Sequence, residues 1–266
     1  MPELGLGAMD TPTSAEGPAT VARAVELGIT FIDTAREYAG SEFLLGQYLR
    51  SFEPAPASPE LCIATKSFRR TADGVQAEVD RSLSVLGLEQ IALYQLHDVT
   101  TPEAWEQVMR AEDSAAPGAL AGLKVAQYRG LIRHIGLSSH SLDVLELAIR
   151  SDEFDSVMVE YSAFFPQSAA LIDLAAEHDI GGIVMRPLGG SGRTSVMRGQ
   201  VQDGSAGILT PANLLRYVLS NPGVSVAIPG AKYPSRIDEN VATASAYEPM
   251  DAAEKRALEE AAARLY

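Results

Sequence analysis

Short apolar runs alternate along this chain with amphipathic segments of helical period, and the alternation is kept up eight times. The runs are Leu4–Ala8, Ile29–Asp33, Leu61–Thr65, Ile91–Leu96, Ile132–Leu137, Ser156–Glu160, Gly182–Met185 and Val224–Ile228. They are too brief for helices and suit strands buried on both faces. Between them lie helical patterns with recognisable ends. Val21 and Val25 precede Gly28, and Val75, Val79, Leu83 and Leu86 precede Gly87. Repeated βα units make a parallel sheet, and eight of them close it on itself. The expected fold class is α/β, a (β/α)8 barrel forming one domain over residues 1–266.

Further helices are expected at Ser41–Arg50, from Ser141, over Gln167–His178 and near Pro234. Pro102–Gly130 reads as two helical pieces broken near Pro117–Gly118. Thr210 caps a helix opened by Pro211. A terminal helix with Ala253, Ala257, Ala261 and Leu265 on one face is expected on the barrel's exterior. The Pro-rich piece at Pro54–Pro59 reads as a surface connection, and a long Gly-rich loop runs from Leu188 to Leu209.

A formal charge of −14 argues against nucleic acid or an anionic membrane as partner, because phosphates would be repelled. The single cysteine, Cys62, excludes a disulfide within the chain. There is no signal-peptide pattern at the start and no apolar run of the ~18 residues a membrane span needs, so the cytoplasm is the expected location. His134, His140 and His178 have no metal-ligand spacing, and no metal is expected.

Parallel barrels carry their chemistry at the C-terminal ends of the strands. Asp33, Lys66 and His97 fall at three successive ends, and Tyr38 lies on the loop beyond the first. A buried carboxylate needs a cation, which Lys66 supplies, and a tyrosine beside an ammonium is a proton donor with its pKa brought down. A Schiff-base role for Lys66 is the competing reading of the same lysine.

DTAREYAGSE, from Asp33 to Glu42, resembles the signature of the aldo-keto reductase family, and TK at Lys66 and LHD at His97 are similar to its next two strand ends. The resemblance extends from GLG at Gly5–Gly7 to DEN at Asp238–Asn240. It implies an NADP(H)-dependent oxidoreductase that interconverts a small carbonyl compound and an alcohol. In that reading Tyr38 is the general acid, Lys66 lowers its pKa and pairs with Asp33, and His97 orients the substrate oxygen.

The same resemblance implies where the cofactor sits. IPGAKYPSRIDEN resembles the family's adenosine-phosphate segment: Ile228, Gly230 and Ala231 lie in its loop, Lys232 and Arg236 meet a 2′-phosphate, and Glu239 and Asn240 meet adenine. LGGSGR brings Leu188, Gly189, Gly190 and Arg193 over the pyrophosphate, with Pro187 before them. Gly7 and the pair Ser138-Ser139 complete the set. Three positions depart from the family pattern: Ser139 stands for its Asn, Met158 for its Gln and Met185 for its nicotinamide-stacking aromatic. A non-catalytic NADP(H)-binding regulatory subunit, similar to the family's potassium-channel β subunits, is the alternative.

Overall fold

The computed structural model describes residues 3–52, 60–190 and 207–265. Its strands are β1 (Glu3–Leu4), β2 (Leu6–Gly7), β3 (Phe31–Asp33), β4 (Cys62–Ser67), β5 (Ile91–Leu96), β6 (Ile132–Ser138), β7 (Ser156–Glu160), β8 (Gly181–Met185) and β9 (Val224–Ala227). Neighbouring strands in the order β1-β9-β8-β7-β6-β5-β4-β3-β2 pair in parallel.

The expected first strand is split. Leu4 pairs outward to Ala227 of β9, whereas Leu6 and Gly7 pair to Ile32 and Asp33 of β3. Gly5 sits between them and donates its N–H to the Ala227 carbonyl at 2.8 Å. One stave thus joins the first and last strands and closes a (β/α)8 barrel. Ala8 turns instead into a 3-10 segment, Ala8–Asp10.

The described helices are α1 (Glu16–Glu26), α2 (Ser41–Ser51), α3 (Ala72–Leu86), α4 (Pro102–Val108), α5 (Ala119–Tyr128), α6 (Leu142–Arg150), α7 (Ala169–Glu177), α8 (Pro211–Leu219), α9 (Pro234–Ala246) and α10 (Ala252–Ala263). Their ends follow capping chemistry. Thr71, Thr101, Ser141 and Thr210 accept first-turn amides, and Gly87 stops α3 at φ 73°. On α10 the fully buried residues are Leu258 and Ala262; of the expected line, Ala261 and Leu265 pack partly buried against the core, whereas Ala253 and Ala257 are exposed. In a helix so rich in alanine several faces look alike, and the one leucine decides which is buried.

The period of two along each strand divides two cores. Ala64, Leu93, Met158, Ile183, Val226 and Ile228 point inward and fill the barrel, with Phe31 and Met185 packed on them. Their neighbours Ile63, Tyr94, Leu137, Val157 and Val184 point outward beneath the helices. Close helix packing adds one tight constraint. A Cβ on Gly46 would fall 2.1 Å from the Val85 carbonyl oxygen of α3. Gly46→Ala is therefore expected to cost about 1–3 kcal/mol through overpacking, read as a lower denaturation midpoint at unchanged denaturant slope. An unchanged midpoint would show that α2 moves away freely.

Candidate active site

The loop from β3 to α2 is built to hold Tyr38 still. The Thr34 N–H donates to the Ala64 carbonyl at 2.8 Å and the Arg36 N–H to the Lys66 carbonyl at 2.9 Å, so the loop leaves β3 still bonded to β4. The Tyr38 amide then closes a turn on Ala35, and Gly40 takes the left-handed conformation at φ 75° that the entry into α2 requires. Ser41 and Glu42 pin the far end. Ser41 Oγ donates to the Ala8 carbonyl and accepts from Thr34 Oγ1, while Glu42 accepts from the hydroxyls of Thr65 and Ser82 and pairs with Arg36. The Ser-Glu of the sequence motif thus supports the loop from behind and stays out of the cleft.

Lys66, at the inward-facing end of β4, is 1% exposed. Its Nζ donates to both Asp33 oxygens at 2.6 and 2.7 Å and to the Thr34 carbonyl at 3.0 Å, which uses its three hydrogens. Gln95 adds a bond to Asp33 at 3.3 Å. Burial pushes the Asp33 carboxyl up and the Lys66 ammonium down, each toward its neutral form, and their mutual attraction opposes both shifts. The ammonium lies 4.9 Å from the centre of the Tyr38 ring, and the His97 ring meets Tyr38 edge-on at 5.7 Å. His97 is itself stacked on Phe68 at 4.3 Å, and its Nδ1 lies 2.9 Å from Glu37 Oε2.

The electrostatics at Tyr38 differ from the expectation. Burial pushes its hydroxyl well above the usual tyrosine range, and the carboxylates of Asp33 and Glu37 push the same way, with Arg186 pulling back. The Lys66 ammonium, 4.9 Å from the ring and bonded to Asp33, does not reverse that direction. Tyr38 accordingly holds its proton throughout the physiological range.

These groups open into one cleft of about 680 Å³ at the C-terminal mouth of the barrel. Asp33, Tyr38, Lys66 and His97 line it, together with Gly7, Ser138, Ser139, Pro187, Leu188, Gly190, Ile228, Gly230, Lys232, Arg236, Glu239 and Asn240. Gly189 and Ala231 are buried and do not line it. Arg193 lies outside the described residues, as do the Pro-rich connection at 54–59 and most of the Gly-rich loop.

Some side chains are already engaged. Ser139 Oγ donates to the Val99 carbonyl at 2.6 Å and accepts the Ser141 amide, so it serves the turn into α6. Ser138 Oγ accepts the Asp98 amide at 3.1 Å. Arg236 is tied to Glu239 at 2.5 Å, one turn along the same helix.

Several lining residues were not singled out by sequence reasoning: Glu37, Phe68, Asp98, Arg186 and Tyr233. Asp98 and Arg186 stand just beyond strand ends in the left-handed conformation, at φ 55° and 53°. Such backbone is costly for an arginine and re-aims its side chain. Arg186 reaches Glu160 at 3.1 Å, and His140 approaches the same carboxylate at 3.3 Å. A charged residue directly after a barrel strand and before a proline was the available signal.

The cleft extends well beyond the four residues around Tyr38. The cleft is continuous from Tyr38 to Asn240. Gly7 lets the wall close: a Cβ there would fall 2.8 Å from the Ile228 carbonyl oxygen. The N-terminus of α9, opened by Pro234, lies beside Lys232 and Arg236, and its positive dipole end suits a phosphate, although the Arg236 amide itself donates to the Tyr233 carbonyl at 3.0 Å. Among the described residues no cluster could hold a metal, and no helix is long and apolar enough to cross a membrane.

Comparison with known proteins agrees with this architecture. An aldo-keto reductase from Mycobacterium avium is 32% identical over 193 residues, 71% of this chain and 62% of that protein. The Schizosaccharomyces pombe aldo-keto reductase yakc, whose name carries NADP(+), is 30% identical over 60% of this chain and 48% of its own length. In fold the chain is similar to the holo form of an aldo-keto reductase from Bacillus halodurans, with a TM-score of 0.75 over 97% of this chain and 91% of that one at 21% identity. The model of the Aldo/keto reductase family matches residues 3–208. This chain is an oxidoreductase of the aldo/keto reductase family.

Proposed function

We propose that the protein interconverts a carbonyl compound, an aldehyde, ketone or sugar, and the corresponding alcohol with NADP(H), using Tyr38 as general acid. The observation that carries this reading is the packing of a protonated Tyr38 against the Lys66–Asp33 pair and His97 in one cleft with Lys232 and Arg236. The bound cofactor supplies the hydride. Tyr38 holds a proton at its hydroxyl and donates it to the oxygen as negative charge develops there. Lys66, locked by Asp33, supports the underside of the Tyr38 ring and keeps its reach fixed. His97 shares the substrate oxygen. Phe68 and Met9 give the mouth an apolar rim that sheds water from the site. The direct test is NADPH oxidation with a panel of aldehydes, ketones and sugars. Cofactor binding without steady-state turnover on any of them would favour a regulatory subunit instead.

NADP(H) is preferred to NAD(H) in this reading because Lys232 and Arg236 are cations in an otherwise acidic chain, at the helix start that would face a 2′-phosphate. The name of the fission-yeast relative supports it. Arg236 must first leave Glu239, which reduces its net contribution. Arg236→Ala is expected to weaken NADPH binding roughly tenfold more than NADH binding, as measured by fluorescence titration. Equal losses for both would place the phosphate elsewhere.

A further inference from the structure

Glu37 has no role in the scheme above, yet both of its carboxylate oxygens are committed. Oε1 accepts the Phe68 amide at 2.9 Å, and Oε2 lies 2.9 Å from His97 Nδ1. The imidazole between them is held on two sides, stacked on Phe68 and met edge-on by Tyr38. It therefore cannot turn over to offer its other nitrogen without giving up these contacts. A carboxylate is an acceptor only, so the nitrogen facing it must carry the hydrogen. Burial works to raise the Glu37 carboxyl, but the bonds from His97 and the Phe68 amide hold it below its usual range and keep it ionised. The remaining nitrogen, Nε2, has no protein partner among the described residues, and the ring lines the cleft.

We propose that Glu37 is a positioning residue that fixes where His97 carries its proton, so that Nε2 is a bare acceptor in the neutral ring and a donor only in the imidazolium. This rests on the reading of the cleft as a carbonyl–alcohol site. In reduction, hydride adds to the carbonyl carbon and Tyr38 gives its proton to the oxygen. Only the imidazolium can donate a hydrogen bond to that oxygen from Nε2. In oxidation, the neutral ring can accept one from the alcohol O–H. The dyad thus gives His97 Nε2 a different hydrogen-bonding role in each charge state of the ring. Other charged or titratable groups around the ring are Asp33, Tyr38 and Lys66 on the β3–β4 side and Asp98 next to it in sequence. Arg70 binds the His97 and Asp98 carbonyls at 2.7 and 3.0 Å, and Arg186 and His140 line the same cleft.

The near-isosteric Glu37→Gln is a sharp test. Its single oxygen would remain with the Phe68 amide, which leaves the NH2 facing Nδ1. An NH2 donates only, so it makes Nδ1 the acceptor and moves the neutral ring's proton to Nε2. The deciding measurement is a ¹⁵N spectrum of the ligand-free, histidine-labelled protein, taken above the pH at which the imidazoles lose their charge. Wild type is expected to carry the His97 proton on Nδ1, and Glu37→Gln on Nε2. The same protonated nitrogen in both proteins would overturn the proposal. In turnover, NADPH-coupled reduction of 4-nitrobenzaldehyde is followed from about pH 6 to about pH 9. Glu37→Gln is expected to retain roughly threefold to tenfold more of its low-pH rate than wild type, the worth of one hydrogen bond, at unchanged NADPH affinity. Parallel profiles would overturn the role in turnover. The spectra do not depend on activity. Full reduction by Tyr38→Phe would sink the general-acid reading alone and leave the tautomer result standing.

Discussion

Tyr38→Phe is expected to cut carbonyl reduction by roughly 10²–10⁴-fold, the usual worth of a general acid, while NADPH affinity stays nearly unchanged. The split follows from where the ring sits. Its edge-on contact with His97 and its place 4.9 Å above the Lys66 ammonium involve the ring carbons, which phenylalanine keeps. Only the hydroxyl proton is lost. That proton is firmly held in the resting site, because burial and the carboxylates of Asp33 and Glu37 disfavour tyrosinate. Transfer is favoured only when negative charge grows on the substrate oxygen. The measurements are kcat on the best aldehyde of the panel and the NADPH dissociation constant. Near wild-type kcat would remove Tyr38 from the chemistry and reopen the regulatory and Schiff-base readings.

Lys66→Met is expected to damage stability as well as turnover. It leaves Asp33, 2% exposed, with only the 3.3 Å bond from Gln95. Breaking a buried pair on one side costs about 3–5 kcal/mol. The loss should shrink as pH falls. Asp33 already has its carboxyl pushed up by burial, and with its cation gone it binds a proton more readily folded than unfolded. A group with a raised folded pKa favours the folded state below its unfolded pKa and loses that contribution as pH rises through the folded one. The partner variant Asp33→Asn/Lys66→Met removes the stranded charge and should recover most of the stability without recovering turnover. Denaturant midpoints of the three proteins at two pH values read this directly. A double variant as unstable as Lys66→Met would show that the site depends on packing around the lysine stem and not on charge.

The sequence made the barrel legible because periodicity survives in one dimension: every expected run overlaps a strand, and β5 and β7 coincide with the expected Ile91–Leu96 and Ser156–Glu160. Strand lengths at the mouth were less legible. The expected third strand stops at Thr65, whereas β4 continues to Ser67, since a buried lysine and serine read as loop residues until their partners are seen. The membership of the cleft was legible where a motif spanned it. Glu37 and Phe68 were not, because their significance comes from meeting across two loops 31 residues apart in sequence. Electrostatic direction was the least legible: adjacency of Lys66 to Tyr38 suggests an acidified phenol, and only the geometry shows the ammonium turned wholly toward Asp33 and Thr34.

The split first stave has a consequence for anyone altering this protein. Two residues on each side join the beginning of the barrel to its end, and Gly7, on that junction, shares the cleft wall with Ile228 and Gly230. Closure and occupancy are therefore coupled. A ligand bridging the wall clamps the two ends together, and at about a hundredfold over its dissociation constant it adds about 2.7 kcal/mol to the folded state. Substitutions in the segment after β9 thus also touch the seam at which the barrel closes. A variant that seems to have lost affinity can have lost closure first, and its empty-state stability distinguishes the two.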